Sequence, residues 1–426
     1  MRVLVLGAAV SGLAAARLAA GRGAEVLIYD QRPIDAPDYL VFSGDWNPDL
    51  LEGVDLVVTS PGFPEHAGPV QDVLAHDVPL ISEMDYALSQ MAVPYAAVTG
   101  TNGKTTVTSV AAEMLQASGI DAVAAGNIGN VLSDLVPNPP PVLVVEASSF
   151  QLRFIDSFHP AAAAILNIAP DHLDWHRDMG EYTAAKQRIF ENQAAPDILV
   201  FDADDEGASN AVKGAAARLI PVSGIAAPEG GSGPRGDRLL IAGETYPNPG
   251  FDRAYTMDLV AAGELAFHLG ATAMGIGNVI ASFSPGAHRR EVVGIWDGVA
   301  WVNDSKATNP HAAVASAEAF ESVVLIAGGR NKGLDLSPVV AVATIKKVIG
   351  IGEAAAEMEA ITEADRFTAV VDLAAAITAA DSVAEAGDTV LLAPGCASFD
   401  MFASYGDRGD EFRRLVTSMK GENHGN

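Results

Sequence analysis

Short runs of Val, Leu and Ile alternate along this chain with longer Ala-rich stretches of helical periodicity. This alternation is typical of parallel α/β sheets, because a strand buried on both faces is continuously apolar and each crossover needs a helix. A chain of 426 residues has room for two or three such domains. We therefore predict an α/β protein of three domains: a Rossmann-like domain over residues 1–93, a central phosphate-loop domain over 94–285 and a second Rossmann-like domain over 286–426.

The apolar runs fall into three groups along the chain. The second group also contains a Gly- and Pro-rich segment, 224–250, which predicts loops or a small β excursion with little helix. The predicted strands are Val3–Leu6, Val26–Tyr29, Asp55–Thr59 and Leu80–Ile81; Tyr95–Val98, Val142–Val145, Ala162–Leu166 and Ile198–Phe201; and Val299–Val302, Val323–Ala327 and Thr389–Ala393.

The chain is strongly acidic, with 54 Asp and Glu against 26 Lys and Arg and a net charge of -28. A field of this sign repels phosphate at long range, which argues against nucleic acid or anionic membrane as the main partner. Gly7, Gly12 and Arg17 interrupt the apolar N-terminal run, so we expect neither a signal peptide nor membrane insertion. The single cysteine, Cys396, permits no internal disulfide and fits a reducing cytoplasm.

The most specific motif is Gly100-Thr101-Asn102-Gly103-Lys104-Thr105, which lies between an apolar strand and an amphipathic helix. Glycines allow backbone N–H groups to approach phosphates, Lys104 can neutralise them, and the Thr105 hydroxyl can hold magnesium. Val98 stands where the common form of the motif has its first glycine. The flanking strand and helix nevertheless predict a phosphate-binding loop.

Polar residues at the ends of neighbouring strands are candidates for a metal site. Glu146 ends one strand, and the string Asp171 to His176 follows another. The His and Asp of that string could serve a second metal or the substrate, or the string could be a polar loop with a helix cap. Lys186, taken by itself, is typical of a surface lysine on a helix.

The N-terminal turn Gly7–Gly12 is similar to a dinucleotide-binding fingerprint in which Ala9 replaces the middle glycine. Asp30 ends the second strand, where a ribose-binding carboxylate would lie. The missing glycine disfavours close approach of a pyrophosphate, so a nicotinamide-dependent oxidoreductase is a weaker alternative. The turn still permits a nucleotide at the helix N-terminus.

Taken together, these residues resemble the Mur ligase family of ATP-dependent, amide-forming enzymes of peptidoglycan synthesis. Folylpolyglutamate synthases share the phosphate loop but not the string Asn303–Asn309. That string, with Ser60–Gly62 and Pro394–Asp400, is similar to the family member that adds D-glutamate. The other segments that carry the resemblance are Gly100–Thr105, Gly126–Gly129, Glu146–Leu152, Asn167–Asp174, Lys186 and His288-Arg289.

The resemblance implies that the N-terminal domain holds the uridine nucleotide, the central domain binds ATP and the C-terminal domain brings the amino acid. ATP would phosphorylate the carboxylate of UDP-N-acetylmuramoyl-L-alanine (UDP-MurNAc-L-Ala), and the amine of D-glutamate would attack the acyl phosphate. Mg2+ would assist, and Lys186 would carry a carbamate. The resemblance also implies a monomer in the cytoplasm.

The resemblance assigns roles to individual residues. The ATP site would comprise Gly100, Thr101, Asn102, Gly103, Lys104, Thr105, Thr106, Arg289 and Asp304. The metal ligands would be Thr105, Glu146, His172 and Lys186, and the catalytic group would be Lys104, Glu146, His172, Lys186 and Lys306. The substrates would contact Val10, Ser11, Asp30, Arg32, Gly62, Asn127 and Ser148 on the UDP-MurNAc side and Thr308, Lys332, Ser398 and Tyr405 on the amino-acid side.

One segment departs from the family pattern. The family carries His-Asn-x-x-Asn ahead of its His-Arg pair, whereas here His268 is followed by Leu269, and Thr272 stands where the second Asn belongs. The distance to His288 is also shorter than in relatives, so we predict a shortened helix and altered adenine or ribose contacts. A degenerate nucleotide-binding relative is therefore one alternative function. Another Mur-type or folylpolyglutamate-type ligase with a different amino acid is the alternative within the enzyme class.

Overall fold

The computed structural model describes residues 1–423. Elements are numbered in chain order. The strands are β1 Arg2–Leu6, β2 Glu25–Asp30, β3 Leu40–Ser43, β4 Leu56–Thr59, β5 Leu80–Ser82, β6 Tyr95–Thr99, β7 Ala122–Gly126, β8 Val142–Glu146, β9 Ala162–Ile165, β10 Ile198–Asp202, β11 Arg218–Val222, β12 Gly233–Arg235, β13 Arg238–Ile241, β14 Glu244–Pro247, β15 Glu291–Trp296, β16 Val299–Asn303, β17 Val323–Gly328, β18 Ile345–Ile351, β19 Phe367–Ala369 and β20 Thr389–Leu392.

The helices account for most of the remaining regular structure. They are α1 Val10–Gly21, α2 Gly68–Ala75, α3 Glu83–Leu88, α4 Lys104–Ala117, α5 Leu132–Leu135, α6 Ser149–Arg153, α7 Met179–Gln187, α8 Glu206–Ala211, α9 Arg253–His268, α10 Ala273–Ser282, α11 Pro310–Ala317, α12 Ser337–Val340, α13 Ala355–Ile361, α14 Leu373–Val383 and α15 Tyr405–Asn423. Short 3-10 helices occur at Pro48–Leu51, Arg188–Phe190 and Ala364–Arg366. Within residues 1–423, no helix combines the length and the apolar character needed to cross a bilayer.

The first sheet is parallel and has the strand order β3-β2-β1-β4-β5. Strand order reverses at β1, so the ends of β1 and β4 open a crevice where ligands of such folds bind. The apolar residues of β1 and β2 are buried on both sides of the sheet, for example Val3 and Leu4 on β1. This burial on both faces explains why these strands could be read from sequence.

The second sheet is also parallel, with the order β11-β10-β9-β6-β8-β7. Its strand β6 lies between β9 and β8 and leads through Gly100–Gly103 into α4. Helix α4 buries Val107, Val110 and Met114 in the central core. The segment 224–250 contains the small antiparallel sheet β12-β13-β14, which confirms the predicted β excursion.

These two sheets belong to one compact unit, formed by Met1–Ile168 with Trp175–Phe283. They share an apolar core, which includes Val3 from the first sheet and Leu143 from the second. Polar contacts join them too: the buried carboxylate of Glu83 accepts from the Ser133 N–H at 2.7 Å.

The second compact unit consists of Ala169–Asp174 and the chain from Ser284 onward. Its sheet has the order β15-β16-β20-β17-β18-β19, in which only the edge strand β15 is antiparallel to its neighbour. Apolar cores lie on both faces of this sheet. The predicted α/β class with three successive largely parallel sheets is confirmed, whereas the boundaries after residues 93 and 285 stay predictions.

The predicted shortening of the helix before His288 relative to other family members stays a prediction. Helix α9 is an uninterrupted helix of 16 residues that ends at His268. Gly270, at φ +100°, then turns the chain, and the Thr272 hydroxyl caps α10 by accepting from the Gly275 N–H. His268 and Thr272 therefore lie at a junction between two helices.

Asp202, at the end of β10, is expected to make stability depend on pH. Burial, together with the charge of Asp204, raises the pKa of its carboxyl to about 6. The folded state holds this proton more tightly than the unfolded state does. The contribution of Asp202 to the free energy of unfolding therefore falls as pH rises from about 4 to about 6 and is constant above about pH 6.

Asp202→Asn should therefore stabilise the protein by about 2–3 kcal/mol at pH 8 and by little at pH 4. The Asn carbonyl can still accept from the Asp204 N–H, as the Asp202 carboxylate does at 2.9 Å. Denaturant unfolding at the two pH values measures the effect, and Asp121→Asn at an exposed position is the control of equal charge. An equal gain at both pH values would contradict the assignment.

Candidate functional site

The phosphate loop is fixed by Asn167, which lies two residues after β9. Asn167 accepts from the Thr101 N–H through its backbone carbonyl at 2.9 Å and from the Asn102 N–H through its side chain at 2.8 Å. Gly103 has φ +84°, and a Cβ there would lie 2.6 Å from Asp258 Oδ1, so only glycine fits. These contacts fix the backbone of the loop at the N-terminus of α4, where backbone N–H groups favour binding of an anion.

Lys104 is the first residue of α4 and folds back over this loop. Its Nζ donates to the carbonyls of Gly100 at 2.8 Å and Thr101 at 2.9 Å. No acidic residue occupies the first turn of α4. The loop therefore combines a helix N-terminus with a cation, which is the chemistry that binds a polyphosphate. Thr105 and Thr106 follow in the same turn.

Glu146 ends β8 next to the loop strand and is 2% exposed. Its Oε1 accepts from the Asn127 amide at 2.8 Å, while its buried Oε2 has no hydrogen-bond partner. A buried carboxylate oxygen without a donor is costly, and a cation would satisfy it. Within residues 1–423 no three His, Cys, Asp or Glu side chains form a metal cluster. A single carboxylate beside a phosphate-binding loop is a ligand set of the kind that Mg2+ uses, because Mg2+ completes its shell with phosphate and water.

Lys186 is not a surface lysine: it lies on α7 and is only 1% exposed. Its Nζ donates to the Gly100 carbonyl at 2.8 Å and lies 4.6 Å from the centre of the Tyr182 ring. The Tyr182 hydroxyl in turn lies 3.1 Å from Thr101 Oγ1. The structure thus brings Lys186 to the underside of the phosphate loop, which its sequence position alone did not indicate.

A crevice of about 610 Å³ opens at the end of β1, where strand order reverses. Four of the five residues predicted to hold the uridine nucleotide line it, namely Ser11, Asp30, Arg32 and Gly62, whereas the exposed Val10 does not. Sequence reasoning missed several further lining residues, although the string Ser60-Pro61-Gly62 pointed to their loop. Those residues include Gln31, Phe63 and His66.

Asp30 is the buried charge of this crevice. Burial alone would raise its pKa, but N–H groups of Ala8 and Arg32 donate to its carboxylate, both at 2.9 Å, and hold the pKa below its usual value. The first turn of α1 packs closely on the preceding turn and requires Gly12, because a Cβ there would lie 1.8 Å from the Gly7 carbonyl oxygen. The crevice therefore presents an ionised carboxylate beside the exposed Arg32 guanidinium.

In the second unit, the string after β9 contributes the buried Asp171, which is 4% exposed. Lys332 Nζ lies 2.9 Å from its Oδ1, and the Asn309 amide donates to its Oδ2 at 3.0 Å. Burial alone would raise the pKa of Asp171, but the charges of Lys332 and His172 hold it below its usual value. Of the predicted metal ligands, His172 belongs to this unit, and the others belong to the first unit.

The loop after β16 is held by a residue that sequence reasoning missed. Arg408 on α15 is 1% exposed and donates to the Ser305 hydroxyl at 3.0 Å, the Ser305 carbonyl at 2.9 Å and the Cys396 carbonyl at 3.3 Å. Lys306 Nζ, next along the loop, lies 3.3 Å from the Tyr405 hydroxyl. No sequence signal distinguishes Arg408 from the surface arginines around it.

The other predicted residues of the second unit lie in its loops. Asp304 accepts from the Arg290 N–H at 3.2 Å, and Arg289 is half-buried just before β15. Thr308 precedes α11, and Ser398 is buried in the loop after β20. These positions are consistent with a binding face at the strand ends, but their contacts with ligands stay predictions.

Comparison with known proteins agrees with this geometry. The model of the Mur ligase middle domain matches residues 98–228, and that of the Mur ligase glutamate ligase domain matches residues 288–396. The chain is 36% identical to a UDP-N-acetylmuramoylalanine–D-glutamate ligase of Pelotomaculum thermopropionicum and 38% identical to one of Myxococcus xanthus, over 98% of both chains in each case.

A solved pseudomurein peptide ligase type C from Methanothermus fervidus shares the fold at a TM-score of 0.61 and 17% identity, covering 98% of this chain and 100% of that one. Likeness at this identity supports the fold alone. The two domain matches and the full-length relatives establish the family. The chain therefore belongs to the Mur ligase family, and within it to the D-glutamate ligases.

Proposed function

We propose that this protein is the ATP-dependent ligase that adds D-glutamate to UDP-MurNAc-L-Ala, releasing ADP and phosphate, and that it acts as a monomer in the cytoplasm. The observation that carries the proposal is the phosphate loop with Lys104 above it and the unpartnered Glu146 oxygen beside it. Full-length identity to enzymes named for this reaction supports the choice of substrates.

The chemistry explains why an amide-forming enzyme needs this loop. A carboxylate is a poor acyl donor, so the terminal phosphoryl group of ATP is first transferred to the alanine carboxylate. The amine of D-glutamate then attacks the carbonyl carbon, and phosphate leaves with the C–O bonding pair. Catalysis of both steps depends mainly on positioning anions and screening their charge. Lys104 and the N-terminus of α4 would supply that screening.

Thr105 and Glu146 would hold Mg2+, which neutralises phosphate charge when bound. Lys186, buried under the loop, would react through its amine with CO2 to form a carbamate, an adduct that converts a buried cation into an anion. His172 would serve a second metal, and Arg289 and Asp304 would contact ATP. Lys306 would steer the reacting groups.

The crevice around Asp30 and Arg32 would take the uridine diphosphate, and Asn127 and Ser148 the muramoyl side. D-Glutamate would bind near Lys332, with Thr308, Ser398 and Tyr405 around it. Because Lys332 is paired with Asp171 in this structure, a substrate carboxylate would have to share or replace that partner.

The test is phosphate release from the purified chain with Mg-ATP and UDP-MurNAc-L-Ala, comparing D-glutamate, L-glutamate, a diamino acid and no amino acid. Release that depends on D-glutamate is the expected result. Release with the diamino acid instead would support another Mur-type ligase. ATP binding without any substrate-dependent release would support the degenerate relative and overturn the proposal.

Cys396 is expected to be dispensable for this reaction. It is buried, burial raises the pKa of its thiol to about 12, and the acyl phosphate route needs no enzyme nucleophile. Cys396→Ala should therefore keep most of the D-glutamate-dependent phosphate release. A folded variant without activity, as judged by circular dichroism beside the wild type, would contradict this expectation.

A further inference from the structure

A second cavity, of about 280 Å³, lies in the first unit beside the small β12-β14 sheet. Its walls come from the end of α9, the start of β11 and two glycine-rich loops, with Arg218, Ser232, Gly243, Glu264, Phe267 and His268 among the lining residues. Asp258, which approaches the phosphate loop at Gly103, lies six residues before Glu264 on α9, or about 9 Å along the helix axis. The lining includes none of the residues predicted to bind ATP or substrates.

The first polar feature of this cavity is the carboxylate of Glu264, which is 2% exposed. Its Oε1 accepts from the Ser232 hydroxyl and from the Ala242 N–H, the latter at 2.7 Å. Among the hydrogen bonds and ion pairs of residues 1–423, none reaches its Oε2. A buried carboxylate oxygen without a donor, at the wall of a cavity, can accept a hydrogen bond from a ligand. A positively charged donor would form the strongest such bond.

The second feature is Arg218, at the exposed start of the edge strand β11. Its Nη2 donates to His268 Nε2 at 3.0 Å. Burial and the charge of Arg218 lower the pKa of His268 despite the opposing effect of Glu264, so the imidazole is neutral and accepts this bond. Among the described residues Arg218 forms no ion pair, so its guanidinium, at the rim of the cavity, is open to solvent and accessible to an anionic group.

We infer that this cavity is a binding site for a small zwitterion that carries an ammonium and a carboxylate group. The ammonium would donate to Glu264 Oε2, and the carboxylate would accept from the free N–H groups of Arg218. Phe267 offers an apolar wall for the intervening methylenes, and nothing lies within 4 Å of a Cβ built on Gly230 or Gly243, which leaves open space beside them. An ion of a single sign would leave either Glu264 or Arg218 unpaired, so a zwitterion fits better than a simple amine or acid.

The test is titration of the full chain, without ATP, by calorimetry or ligand-observed NMR. Glycine, β-alanine and 4-aminobutyrate place the two charges at increasing separation, and ethylamine and propionate carry one charge each. At least one zwitterion should bind in the millimolar range, about tenfold or more tightly than either single ion. Arg218→Gln and Glu264→Gln should each weaken that binding about tenfold or more.

Lys213→Gln and Glu244→Gln, at exposed positions, are the controls of equal charge change and should leave binding unaltered. Arg218 is exposed, so its variant is expected to fold even if Glu264→Gln does not. Absence of binding by all three zwitterions, equal binding of the single ions, or binding that survives Arg218→Gln would each overturn the inference.

Discussion

Lys104→Met is expected to lower ATP-dependent phosphate release about 100-fold to 1000-fold or more while leaving the fold intact. Lys104 is the lysine of the loop sequence itself, and its ammonium lies over the Gly100 and Thr101 carbonyls at the N-terminus of α4. Methionine has similar length but cannot screen the charge that is transferred between ATP and the acyl group. Because the residue is half-buried, the loss of its bonds to the loop carbonyls should change the unfolding free energy only modestly.

The measurement is steady-state phosphate release with saturating D-glutamate, together with a thermal unfolding curve for each variant. Lys213→Met, at an exposed lysine after α8, is the matched control and should keep normal activity. Near wild-type release by Lys104→Met would mean that the loop does not hold the reacting phosphates. That result would remove the main support for the proposed reaction.

Lys332→Met is expected to destabilise the second unit by about 3 kcal/mol or more at neutral pH. The substitution leaves the Asp171 carboxylate buried with hydrogen bonds from Asn309 and the His172 N–H but without its lysine. Lys332 and His172 hold the pKa of Asp171 in the folded state below its value in the unfolded state, which is near 4. The Lys332–Asp171 ion pair therefore stabilises the fold at pH values above about 4. The loss should therefore shrink as pH falls through 4 and Asp171 becomes protonated.

Hydrogen exchange of amides in β16, β17 and β20 reports on the second unit separately from the first. Adding Asp171→Asn to Lys332→Met should restore much of the stability, because no unpaired charge then remains buried. A loss that is the same at pH 4 and pH 8, or one that the second substitution fails to relieve, would contradict the ion-pair explanation. We also expect the single variant to need a higher D-glutamate concentration for half-maximal phosphate release.

The parts of the fold that could be predicted from sequence are those whose signal is local. Buried parallel strands such as β1, β8 and β17 are continuous runs of Val, Leu and Ile, and the phosphate loop needs glycine and lysine at fixed spacing. The strands that were not predicted from sequence have weaker apolar runs; they are β3, β7, β11, β15, β18 and β19. Five of them are edge strands, four of which have exposed positions, and β18 is interrupted by Lys346 and Lys347.

Helix α9 shows the limit of matching a motif by residue type. His268 resembles the family histidine in sequence, yet it is the last residue of α9. The residue of α9 that approaches the phosphate loop, at Gly103, is Asp258, ten positions earlier. A helix position fixes which face a side chain occupies, but only the packing of α9 decides what that face meets.

The sequence by itself determined the α/β class, the order of the three sheets, the phosphate loop and the family. It could not decide which charged residues are buried, because a lone lysine, arginine or carboxylate has the same local pattern on a surface as in a core. Asp171 and Lys332 are 161 positions apart, and Arg408 and Ser305 are 103 apart. Only the tertiary structure brings such partners together, because a buried charge is stable only where distant segments supply the groups that pair with it.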